Sequence, residues 1–135
     1  MADGVGDKKQ IGLTNSGNDA LAQLMEAGLF ATETDAYKVG IAYALAKGLD
    51  PDSAPDRGYQ TKFNAAGGLD VYQEIRDLIA ILRPEDASRP YSTAEKLAEL
   101  GVTEMAGRIA AHESMAEVLA EFDSNVGEPT PAPNS

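Results

Sequence analysis

The chain has 135 residues, 43% of them hydrophobic, a net charge of −11 and no cysteine. That is the size and apolar content of one folded domain. The missing cysteines exclude disulfides, thiolate metal sites and thiol nucleophiles, and the negative charge opposes binding of free nucleic acid unless the few cations gather on one face.

Four lysines meet seven acids in residues 1–50, and seven cations meet fifteen acids in residues 51–135, so the first part is the less hostile to an anion. Residues 1–8 read as a flexible arm. Met1 to Asp7 is small and acidic with no apolar stretch behind it, and no apolar run approaches the ~18 residues of a membrane span. The expectation is a cytoplasmic protein with no membrane contact.

Lys9-Gln10-Ile11-Gly12-Leu13-Thr14 alternates with period two, placing Ile11 and Leu13 on one side of a short strand and Gln10, Gly12 and Thr14 on the other. Asn15 and Ser16 are good capping residues for a first helix carrying Ala20, Leu21, Leu24 and Met25 and ending near Gly28. Thr32 or Thr34 caps a second helix that runs to Lys47 and stops at Gly48. From Ala36 to Ala46 this helix is apolar or small nearly all round, interrupted only by Lys38. Such a helix must be covered on most sides, by a partner chain or by later helices.

Asp50 to Asp56 reads as a loop, and Gly58 to Phe63 as a possible extended segment. Val71, Tyr72, Ile75, Leu78, Ile79 and Leu82 mark the stripe of a third helix that Pro84 closes, with Glu74, Arg76, Asp77 and Arg83 opposite. Ser92 and Glu95 form a capping-box pair for a fourth helix ending at Gly101. Thr103 opens a fifth, with Met105 and Ile109, and Ser114 with Glu117 caps a last one bearing Val118, Leu119 and Phe122. The tail, 123–135, holds three prolines and two acids and reads as disordered.

Candidate chemistry is sparse. His112 is the single histidine, so a two-histidine metal site cannot form within one chain, and it reads as a solvent-facing helix residue. Asp50, Asp52 and Asp56 lack the glycine and closing glutamate of a calcium loop, and the glycine pairs lack the context of a phosphate loop. No enzyme activity, cofactor or metal is expected.

Strand, helix, short turn and helix over residues 9–48 resemble the ribbon-helix-helix fold of the MetJ and Arc type. The resemblance implies a mainly α fold: an oligomerising unit at 9–48 whose strand pairs with that of a second copy, then a helical extension of three to four helices at 49–122. Ile11, Leu13, Tyr37, Ile41, Tyr43 and Leu45 would form the oligomer interface. Lys8, Lys9, Gln10 and Thr14 would approach DNA from the ribbon, and Thr32 or Thr34 would hold a phosphate at the second helix's N-terminus. More distantly, Ile11–Gly48 followed by Leu69–Pro84 resembles the DndE-like accessory subunits of bacterial DNA sulfur modification.

Two functions follow as expectations. One is a non-catalytic, homo-oligomeric, DNA-associated accessory or regulatory protein, whose acidic 49–122 extension suits a basic partner protein. The other is a protein-interaction or scaffold module with no nucleic-acid contact.

Overall fold

The computed structural model describes residues 7–111 and residue 117. The first six residues of the arm, His112, the expected last helix with Val118, Leu119 and Phe122, and the tail lie outside them.

The described chain is mainly helical, with one two-stranded antiparallel sheet. In order it forms β1 (Gln10–Leu13), α1 (Asn15–Glu26), α2 (Glu33–Lys47), β2 (Gln60–Asn64), α3 (Glu74–Leu82) and α4 (Pro90–Ala110), with short turns of helix at Pro51–Ser53, Ala65–Leu69 and Pro84–Asp86. No described helix is long and apolar enough to cross a membrane.

β1 was expected to pair with the same strand of a second copy; it pairs instead with β2 of its own chain. The register sets Ile11 opposite Phe63 and Gly12 opposite Thr61, with an irregularity between Ile11 and Gly12. Gly12 is there because β2 passes too close for a side chain: a Cβ would lie 1.6 Å from the Gln60 carbonyl oxygen. The other edge of β1 is closed by side chains. Gly12 N–H donates to Glu95 Oε2 (2.8 Å), the Tyr37 hydroxyl donates to Gly12 O (2.9 Å) and Thr14 N–H donates to Glu99 Oε1 (3.0 Å). Both edges are thus engaged within the subunit, and Gly12, expected to face outward, is buried.

Thr14, one residue before the expected cap, holds the start of α1 by accepting from Gly17 N–H at 3.1 Å. Thr32 caps α2, and Gly48, at φ 67°, ends it in the left-handed conformation that glycine adopts without penalty. The cover over α2 is α4. Gly101, expected to end one helix before Thr103 opened another, lies inside the single 21-residue α4. It is glycine because the two backbones touch there: a Cβ on Gly101 would meet the Gly40 carbonyl oxygen at 1.9 Å. Likewise Ser92 is no cap. Arg89 takes that position, Pro90 starts the helix, and Glu95 turns inward.

One core joins residues from both sides of position 48, including Ile11, Leu13, Leu21, Leu24, Leu69, Ile79, Leu97, Val102 and Met105. Ile11, Leu13, Tyr37, Ile41 and Tyr43 are all at most 1% exposed within this single chain, and Leu45 is half-buried against the same core. These six residues, expected at an interface between copies, are therefore interior. α2 reads as apolar all round because the positions it leaves exposed besides Lys38 include Ala42 and Ala46, which carry nothing polar to betray a solvent face.

Candidate interaction surface

The residues expected to approach DNA are mostly spent inside the molecule. Lys8 forms an ion pair with the buried carboxylate of Glu95 and places its ammonium 5.1 Å from the Tyr59 ring centre. The Gln10 amide donates to Asn64 Oδ1 at 3.3 Å, and the Thr14 hydroxyl donates to Glu99 Oε2 at 2.6 Å. Thr32 accepts from Asp35 N–H at 3.0 Å, while Thr34 lies half-buried in the first turn of α2. Beside that N-terminus, where a phosphate was expected, Lys62 pairs with Glu33 at 3.2 Å. Lys9 alone of the expected residues is an exposed cation without an ion pair among the described residues.

Glu95 and Glu99, one turn apart on α4, are the sharpest electrostatic feature of the interior. Every one of their four carboxylate oxygens meets a donor from residues 8–14: Lys8 and Gly12 for Glu95, and the Thr14 amide and hydroxyl for Glu99. Burial, followed by the charge of Glu95, holds the nearby Tyr37 hydroxyl well above its ordinary pKa. Gly17 completes the fit, since a Cβ there would come within 2.1 Å of Glu99 Oε1. With all their oxygens engaged, these carboxylates are fasteners for β1. Periodicity could not have found them, because a glutamate in a helical pattern looks the same whether it is solvated or buried. Among the described residues no group of three or more histidines, cysteines or acids is arranged to hold a metal ion.

The surface that stands out is α3. Its N-terminus is fixed by Asp70, a buried carboxylate that accepts from Ile75 N–H (2.8 Å), Arg76 N–H (3.0 Å) and the Tyr91 hydroxyl (2.9 Å). Burial, and then the bond to Asp70, push the Tyr91 hydroxyl up to about 12. At the other end, Arg83 pairs with Asp86 at 2.7 Å and Glu85 at 3.1 Å. Between these anchors Ile79 is fully buried and Ile75 half-buried.

The rest of the expected stripe is in the open. Tyr72 is 84% exposed, Val71 59%, Leu82 54% and Leu78 39%; Ile81, beside the stripe, is 73% exposed. Only two of the six stripe residues thus face the chain's own core. Ile81 was the available signal, since a large aliphatic residue off the stripe gives this helix a second apolar side that its own core does not need. Along the exposed side Glu74, Leu78 and Ile81 follow one another at helical spacing, and Asp77 lies one turn before Ile81. Arg76 faces away, toward a groove of about 770 Å³ that it lines with Lys9, Asn64 and Tyr91.

Geometrically, the molecule offers a helix held rigidly at both ends that presents large aliphatic and aromatic side chains to solvent between acidic neighbours. Set against protein-family models, curated proteins and solved structures, the chain matches none of them.

Proposed function

We propose that the chain is a protein-interaction module without a catalytic task, in which β1, β2, α1, α2 and α4 form the frame and α3 is the docking element. The observation that carries this reading is the exposure of Val71, Tyr72, Leu78, Ile81 and Leu82 on and just before a helix pinned by Asp70 and Arg83. Contiguous apolar surface of that kind is costly to leave wet and marks contact sites. Rigid anchoring lowers the ordering cost of binding.

Direct DNA contact has less in its favour, because Lys8, Gln10, Thr14 and Thr32 are engaged by neighbours in the same chain. A ribbon-helix-helix-like or DndE-like accessory role, in the order β1, α1, α2, would then reach DNA through the protein held at α3.

A photo-crosslinking residue placed at position 81, and separately at exposed position 38 on α2, tests the proposal in cells of the native host. Discrete protein adducts from position 81, weakened by Tyr72→Ser and lacking at position 38, are expected. Adducts to nucleic acid, or equal patterns from both positions, would remove α3 as the docking element.

A further inference from the structure

Resting on that reading of α3, the geometry points to one kind of occupant: an amphipathic helix of another protein, with an apolar ridge flanked by lysine or arginine. The ridge on this chain is Leu78, Ile81 and Leu82, spaced three and four residues apart, which is the pattern that interdigitates with a second helix. What borders the ridge is acidic. Glu74 lies one turn before Leu78 and forms no ion pair among the described residues; Asp77 lies one turn before Ile81 with its side chain 65% exposed; Glu85, 62% exposed, follows the helix.

The cations of α3 and its end are already taken. Arg76 lines the groove with Lys9, is held by the Gln73 side chain at 2.5 Å and reaches Asp77 at a long 3.7 Å, and Arg83 is taken by Glu85 and Asp86. Glu74, Asp77, Glu85 and Asp86 outnumber Arg76 and Arg83, so an approaching helix meets aliphatic surface with a net negative rim, on a chain that already carries −11. Lysine and arginine beside the partner's own ridge would be drawn in by that field, and acids would be repelled.

A second copy of this chain fits worse. Two such ridges laid antiparallel bring Glu74 of each against Glu85 of the other, and laid parallel they set like acids side by side. Either way two bodies of −11 come together without a free cation at the contact. The complementary partner is a different chain of opposite charge.

Two fluorescein-labelled synthetic helices with the same leucine ridge, one flanked by lysines and one by glutamates, are titrated with the full chain and followed by anisotropy. At low salt the lysine-flanked helix should bind at least about tenfold tighter, with the advantage shrinking as salt screens it. Ile81→Ser should weaken its binding, and Glu74→Lys with Asp77→Lys should move the preference toward the glutamate-flanked helix. These positions are exposed, and circular dichroism checks that the variants keep their helices.

Equal binding of the two helices, or a preference that survives the charge reversal, would overturn the basic partner while leaving α3 a docking surface. Failure of both helices to bind, or binding indifferent to Ile81→Ser, would overturn both readings. Concentration-dependent dimerisation abolished by Ile81→Ser would overturn the foreign partner in favour of a second copy.

Discussion

Helix α2 is apolar or small around almost its whole circumference, whereas α3 carries a well-marked stripe with polar residues opposite, yet α2 is the helix the chain covers and α3 the one it leaves open. The difference lies in what each can approach. α2 and α4 meet at Gly40 and Gly101 with no side chain between their backbones, so α4 reaches in and closes over Tyr37, Ile41 and Tyr43. α3 has no such contact. It rests on Ile75 and Ile79 and leaves its remaining large residues outside. An apolar stripe shows that a surface seeks cover, and backbone approach shows where the chain itself supplies it.

The largest effect is expected where that approach is closest. Gly101→Ala places a methyl 1.9 Å from the Gly40 carbonyl oxygen, a backbone atom that cannot turn aside, and should destabilise the fold by about 3 kcal/mol or more in urea unfolding. Gly40→Ala should cost less, about 1–2 kcal/mol, because its nearest obstacle at 2.8 Å is a terminal methyl of Val102. Equal and small losses for the two would mean that the helices are not in backbone contact. Next in size, Ile79→Ala removes the one fully buried side chain of α3 and should cost about 2–4 kcal/mol. A loss below about 1 kcal/mol would mean that α3 is barely fastened to the frame.

How much of this was legible in the sequence varies by element. The first strand, α1, α2 with a threonine cap at 32 or 34 and its Gly48 stop, and the apolar stripe of α3 could all be read, because their signals are local: period, cap and terminator; the structure chooses Thr32. Gly101 misled, since a glycine after a run of apolar residues looks like a helix end, and its true reason is a carbonyl 61 residues away in the chain. β2 was barely visible because Gln60-Thr61-Lys62-Phe63-Asn64 lacks an alternating apolar face; Gln60, Thr61 and Asn64 are exposed. The interface expected between copies followed from the resemblance and from the apolar circumference of α2, whose open positions are partly alanine and whose cover is α4 of the same chain. As for the candidate site, the spacing of Tyr72, Leu78 and Leu82 marks an apolar stripe, and spacing alone does not say which part of it the fold turns outward.

A smaller effect tests the pin that holds α3. Tyr91→Phe leaves Asp70 with its two backbone donors and removes the third, for an expected loss of about 1 kcal/mol near neutral pH. The same hydroxyl gives a pH dependence. Its proton is held up to about 12 in the folded chain, against an ordinary value of 10.0. Between those values the unfolded chain has lost a proton that the folded chain keeps, so stability falls as pH rises through this window, and the raised Tyr37 adds a loss of the same sign. Urea midpoints should therefore drop between about pH 10 and pH 12, and drop less steeply in Tyr91→Phe. A midpoint that rises over the same range would contradict the burial of these hydroxyls.

The smallest stability change is expected at the residue with most to say about function. Ile81→Ser replaces a side chain that is 73% exposed and lies between the anchors at Asp70 and Arg83. Little apolar area leaves or enters water, and the helical preference of serine is only modestly below that of isoleucine, so the urea midpoint should stay within about 0.5 kcal/mol of the parent. The same change at Ile41, 1% exposed under α4, should cost several-fold more, which makes the pair a direct measure of the contrast between α2 and α3. A large loss at position 81 would mean that the chain covers α3 after all, and the surface on which docking is proposed would not be free. With folding untouched, any loss of binding in Ile81→Ser can be assigned to the surface itself, which separates a contact residue from a merely structural one.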